Sequence, residues 1–121
     1  MKIAISSTGK DLNAKVDPRF GRTMYFIVVD TETMEYTVLE NAGSESAHGA
    51  GIQTSQLVGK EDISAVITGN LGPNAFQTLR ASGIQSYHAP DMTIAEAIDA
   101  FKKDDLKPID ESGPAHAGMR S

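Results

Sequence analysis

The 121-residue chain predicts one α/β domain. The expected architecture is a five-stranded mixed sheet in the order 3-2-1-4-5 with three helices, running β-β-β-α-β-α-β-α. Three observations lead there. Ile3-Ala4-Ile5 and Ala65-Val66-Ile67 are short apolar runs without alternation, the pattern of strands covered on both faces. Met24–Asp30 and Met34–Glu40 flank the short polar turn Thr31-Glu32-Thr33, which reads as a hairpin. After the second apolar run the period changes to that of a helix, and it does so again from Thr93 onward.

Taken in order, Lys2–Ser7 is the first strand. Thr8–Arg22 is polar and holds the breakers Gly9, Asp17-Pro18 and Gly21. It is long for a connection in a compact domain, and long ordered loops are often functional. Met24–Asp30 is rich in aromatic and β-branched residues, as strands are. Met34–Glu40 alternates apolar and polar, predicting a half-exposed strand. Asn41–Gly51 is a small polar loop, and a helix is expected from Ala50 to Val58 with Gly59 closing it. Its amphipathic pattern is weak, with Ile52, Gln56 and Gly59 on one face and Ser55 and Leu57-Val58 adjoining.

Ala65–Ile67 runs into the tight turn Gly69-Asn70-Leu71-Gly72. The next helix then has Pro73 at its first position, Ala75, Phe76 and Leu79 on one face, and Gly83 just past its end. Ile84–Tyr87 is a short strand. Thr93 and Glu96 form a capping box, and Ile94, Ala97, Ile98 and Phe101 repeat at helical spacing. Ile109–Ser121 has little to bury, so residues 1–108 are expected to be the domain and 109–121 a disordered tail.

A meander of three antiparallel strands, joined by two parallel strands through right-handed crossovers, makes the first and fourth strands parallel neighbours. The chain leaves them to opposite sides, which creates a topological switch point where ligands collect in open α/β sheets. Four loops should meet on that edge: Thr8–Arg22, Asn41–Gly51, Gly69–Asn74 and Tyr87–Asp91.

Composition removes several classes of function. A formal net charge of −5 disfavours sequence-independent nucleic-acid binding, which needs clustered Lys and Arg. With no cysteine there is no disulfide, thiolate nucleophile or Cys-ligated cluster. No apolar run reaches the roughly 20 residues that span a bilayer, and the N-terminal run is too short for a signal peptide. A cytoplasmic chain with no membrane or nucleic-acid partner is expected. No nucleophile elbow and no paired-His helix is present, so no catalytic residue is assigned and the chain reads as a non-enzyme.

The candidate binding residues lie in the four loops. Gly69 to Pro73 offers backbone N–H groups at a helix start for an anion, or glycines that simply permit the turn. The stretch lacks the Lys-Ser/Thr of a P-loop. His48 could ligate a soft metal or hydrogen-bond an anion, or be an exposed loop histidine. His88 carries a weaker signal, and His116 falls in the expected tail. Asp17-Pro18-Arg19-Phe20-Gly21-Arg22 offers guanidinium groups for an anion, or a structural Asp–Arg pair with Phe20 anchoring the loop.

The opening KIAISSTGKDLNAKVDPRFGR, the YFIVVDTET hairpin, the HGAGIQ segment and VITGNLGPNAFQTLRASGI together resemble the dinitrogenase iron–molybdenum cofactor biosynthesis family. The resemblance covers about Met1 to Ile109. It implies a ribonuclease-H-like fold and binding of an iron–molybdenum or related Mo/Fe/Cu–sulfur cluster, received from or passed to donor and acceptor proteins. Carried over, the cluster-binding residues are Asp17, Arg19, Phe20, Gly21, Arg22, His48, Gly49, Gly51, Gly69, Gly72 and Pro73, with His48 as the direct metal ligand. The absence of cysteine departs from several cluster-binding relatives. The nuclease chemistry hosted by this fold needs carboxylates on the first strand, and Lys2–Ser6 has none. The alternative function is an anion- or nucleotide-phosphate-binding regulatory module using the same loops without metal.

Overall fold

The computed structural model describes residues 1–41 and 50–110, and of the first helix only the side chains at 54–56, 58 and 59. The elements are β1 (Lys2–Ser7), β2 (Tyr25–Asp30), β3 (Tyr36–Glu40), α1 (Ala50–Gly59), β4 (Ala65–Thr68), α2 (Pro73–Ala81), β5 (Gln85–His88), α3 (Ile94–Lys102) and β6 (Lys107–Pro108). They form one sheet in the order β3-β2-β1-β4-β5-β6. β1 pairs antiparallel with β2 and parallel with β4. The expected order therefore holds, with the switch point between β1 and β4. Among the described residues no helix is long and apolar enough to cross a membrane.

Alternation along β1 splits the core in two. Ile3 and Ile5, with Ile27, Val29 and Ile67, pack beneath Ile94, Ala97 and Ile98 of α3. Ala4 faces the other way with Phe26, Val28 and Val66, against Val58 of α1 and Ala75 and Leu79 of α2. The central strands are thus covered on both faces, which is why they read as unbroken apolar runs.

Four expectations are corrected. β3 is not half-buried. Tyr36 and Val38 are 39% and 36% exposed, because no β3 residue joins the core under α3; only Leu39 packs partly against the opposite core. The buried side of α1 is not that of Gln56 and Gly59, which are exposed. It is Thr54 together with the adjoining Ser55 and Val58, so a helix that buries hydroxyls gives a weak hydrophobic signal. β5 starts one residue late because Ile84 completes the end of α2, donating its N–H to the Leu79 carbonyl (2.9 Å).

The last correction is β6, two residues antiparallel to β5, too short to register as a pattern. Ile109, assigned by composition to the tail, donates its N–H to the Ser86 carbonyl (2.8 Å) and packs against the core. Residues 111–121 lie outside the described residues.

Candidate functional site

β1, β3, β4 and β5 run in one direction, so their carboxyl ends share one rim. The 8–22 loop is strapped across it. Asp17 donates its N–H to the Ser6 carbonyl (2.8 Å) and Val16 its own to the Met92 carbonyl (2.9 Å). Asn70 donates to the Pro18 carbonyl at 2.7 Å. Below the strap, the Ser6 hydroxyl donates to the Asp17 carbonyl (2.7 Å). Its one proton is then spent, so the Thr68 hydroxyl at 2.8 Å donates to it.

These contacts decide what Gly69 does. A Cβ there would lie 2.6 Å from Pro18 Cα, closer than non-bonded carbons approach. Gly69 is the contact that lets the strap lie on the central turn. Gly72 differs: a Cβ on it meets nothing within 4 Å. It caps α2 with no side-chain hydrogen bond, followed by Pro73. The first intrahelical donor is Phe76, to the Gly72 carbonyl (2.9 Å). The amides of Asn74 and Ala75 precede it and have no helical acceptor, as at any helix start.

In the Asp17–Arg22 segment the structural pair exists. The buried Asp17 carboxylate accepts from the Arg19 backbone N–H (2.9 Å), Nε (3.2 Å) and Nη2 (3.3 Å). Hydrogen bonding to Asp17, and then its charge, raise the Arg19 pKa above the usual guanidinium value. Arg19 is still exposed, so its remaining N–H donors face solvent at the rim. Arg22 is exposed as well. Phe20 is only 2% exposed and meets Phe26 edge-on at 5.4 Å; it anchors the strap from below. The Gly21 carbonyl accepts from Asn41 Nδ2 (3.2 Å) and Thr54 Oγ1 (3.2 Å), which ties the strap to the end of β3 and to α1.

On the other side of the strap, His88 Nδ1 lies 2.7 Å from the Gly69 carbonyl oxygen. The ring lines a cavity of about 250 Å³ together with Val16, Pro18, Asn70 and Asp91. Lys15 pairs with Asp91 at 3.3 Å beside it. Among the described residues no group of three or more His, Cys, Asp or Glu side chains converges on a metal-ion position.

The structure thus brings Asp17, Arg19, Gly21, Arg22, Gly69, Gly72 and Pro73 to one rim, with Phe20 beneath it. Gly51 lies in the first turn of α1. His48 and Gly49 lie outside the described residues. Sequence reasoning missed Ser6, Asn41, Thr54 and Thr68, whose hydroxyl and amide groups hold the loops together. The only signal was their polarity at strand ends and on a weakly apolar helix.

A family model for the dinitrogenase iron–molybdenum cofactor family matches residues 1–104. A Methanocaldococcus jannaschii protein is 31% identical over 110 residues, covering 88% of this chain and 90% of its own length. The apo form of the orange protein from Desulfovibrio gigas superposes with a TM-score of 0.90 at 35% identity, covering 93% of this chain and 95% of that one. A Thermotoga protein assigned to NifB and to DUF35 gives a TM-score of 0.78 at 41% identity, over 88% and 91% of the two chains. With the strapped rim lying inside the matched region, this chain belongs to the dinitrogenase iron–molybdenum cofactor family.

Proposed function

We propose that the protein is a non-enzymatic carrier or assembly factor that holds an iron–molybdenum or related metal–sulfur cluster, its cargo, on the strapped rim. One observation carries this reading: within a chain that matches the family from residue 1 to 104, separated polar loops are tied side by side at the switch point. Exposed guanidinium groups and the start of α2 are there to meet a large anion.

The donor set narrows the cargo. Without cysteine the rim is unsuited to a bare iron–sulfur core, which thiolates normally hold. A preassembled cluster brings its own sulfides. It needs an imidazole for an open metal position and hydrogen-bond donors for the sulfides. In this reading His48 is a direct ligand. Arg19, Arg22 and the backbone N–H groups of Gly49 and Gly72 donate to sulfide and offset negative charge, and donor and acceptor proteins are the partners. Metal-free binding of a phosphate is the competing reading, favoured by the exposed Arg19 and the helix start at Gly72.

Anaerobic uptake of isolated iron–molybdenum cofactor, followed by desalting and metal analysis, tests the proposal. The wild-type protein is expected to retain Mo and Fe. His48→Ala should retain much less, with its melting temperature within a few degrees of wild type. A protein that takes up no cofactor but binds inorganic phosphate or a nucleotide in calorimetry supports the competing reading instead.

A further inference from the structure

We infer that His88 is a metal ligand of the rim, with its Nε2 coordinating a metal ion of the cargo from the cavity beside the strap. The inference rests on the carrier reading and adds a ligand from a different loop.

Hydrogen-bond chemistry sets the tautomer. A carbonyl oxygen has no proton to give, so at 2.7 Å from Gly69 the Nδ1 atom must be the donor. In the neutral ring the lone pair then sits on Nε2. That nitrogen has no hydrogen-bond partner among the described residues, and because the His88 side chain is exposed it is open to solvent or to an incoming ligand. An imidazole that donates one N–H to a backbone carbonyl and leaves the other nitrogen bare has the arrangement found at metal-bound histidines. There the backing carbonyl orients the ring and raises its basicity.

The orientation is built on rigid parts. His88 pairs with Thr68 in the parallel ladder, and Ala89 donates to the Thr68 carbonyl (3.0 Å). Gly69 itself is pinned by the Asn70–Pro18 hydrogen bond and by the approach of Pro18 to its α-carbon. The ring is therefore held by two parallel strands and the strap rather than by a loose loop, as a preorganised ligand should be.

The surroundings select the kind of metal. A bare ion needs about three or four protein ligands, and none converge here among the described residues. A single imidazole suits a metal whose other positions are already filled, as in a metal–sulfide cluster. The cavity of about 250 Å³ is smaller than the roughly 300–1,000 Å³ that encloses a small molecule, so it seats one face or corner of such a cargo.

The test combines two variants with spectroscopy. His88→Asn places an amide Nδ2 near the Nδ1 position, keeping a donor for Gly69 while removing Nε2; His88→Ala removes both. In the apo wild-type protein, long-range ¹H–¹⁵N spectra should show His88 protonated at Nδ1. After anaerobic loading with isolated iron–molybdenum cofactor, spin-echo modulation should report a coordinated imidazole nitrogen. In both variants the His88 share of that modulation should be lost, leaving only the His48 nitrogen, and retained Mo should fall by about tenfold or more, the scale on which metal sites lose affinity when a ligand's support is removed. His88→Asn should keep the wild-type melting temperature. A wild-type Nε2–H tautomer, or a His88→Asn protein that retains Mo with an unchanged nitrogen signal, overturns this ligand and leaves the carrier reading standing. A wild-type protein that takes up no cofactor removes both.

Discussion

Pro18 Cα lies 2.6 Å from where a Cβ on Gly69 would sit, so the strap over the rim and the turn after β4 are matched to within one methyl group. Gly69→Ala should push the strap off the turn and destabilise the protein by about 1–3 kcal/mol, the usual cost of overpacking. It should also weaken cargo retention, because the Arg19 and His88 sides of the rim are both referenced to that turn. Gly72→Ser is the control. It meets no steric conflict and adds a helix cap, so it should leave stability unchanged or raise it by a few tenths of a kcal/mol. Thermal melts and cofactor retention check both variants.

Two helices end in the same motif with different residues. After α2, Gly83 at φ 78° donates to Arg80 (3.0 Å), and Ile84 donates to Leu79 (2.9 Å). After α3, Asp104 at φ 60° donates to Phe101 (3.0 Å), and Asp105 donates to Ala100 (2.8 Å). Both are Schellman ends, which favour glycine in the left-handed position. Asp104→Gly should therefore stabilise the fold, by about 0.5–1 kcal/mol, and Gly83→Ala should destabilise it by a similar amount. Denaturant midpoints give the sign of each.

The capping box of α3 makes part of the stability pH-dependent. Thr93 N–H donates to Glu96 Oε1 (2.8 Å), and the Thr93 hydroxyl accepts from the Glu96 N–H (3.1 Å). The Thr93 backbone N–H first, and its side chain second, hold the Glu96 carboxyl below the usual glutamate range. A folded pKa below the unfolded one means that the contribution is full above an unfolded value of about 4.3. It is lost as pH falls through the lower folded value. Glu96→Gln keeps an acceptor for the Thr93 N–H but does not titrate. Its melting temperature should lie below wild type near neutral pH, and the gap should close as pH falls through the lowered Glu96 value. Thr93→Ala should cost about 1 kcal/mol near neutral pH.

Asn41, Thr54 and the carbonyls of Gly21 and Thr23 form a buried latch between the strap, β3 and α1. Asn41 Nδ2 donates to Thr23 (2.8 Å), and Thr54 Oγ1 lies 3.1 Å from Asn41 Oδ1. Thr54→Val keeps the shape of a side chain that is fully buried but removes its hydroxyl. The expected loss is about 0.5–1.5 kcal/mol from the hydrogen bond removed. Hydrogen exchange should rise at the 17–23 strap before it rises in β1. Uniform exchange across the protein would show that the latch does not hold that loop.

The strand order, the three helices, both well-signed helix boundaries and the gathering of the 8–22, 69–74 and 87–91 loops on one edge were legible in the sequence alone. Local periodicity, capping residues and chain-connection rules act over short stretches and leave their marks there. What tertiary structure decided was how close the loops come. Gly69 looked like a turn glycine, yet its role comes from Pro18, which lies 51 positions earlier. Asp17 and Arg19 allowed two readings until folding paired them. Thr54 and Ser55 masked a buried helix face because hydroxyl burial is favourable only with partners supplied by Asn41, Gly21 and Ala75. His88 was an ordinary loop histidine in the sequence. The Gly69 carbonyl selects its tautomer, and only the pairing of β4 with β5 brings the two together. Such contacts join residues far apart in the chain, so no local pattern records them.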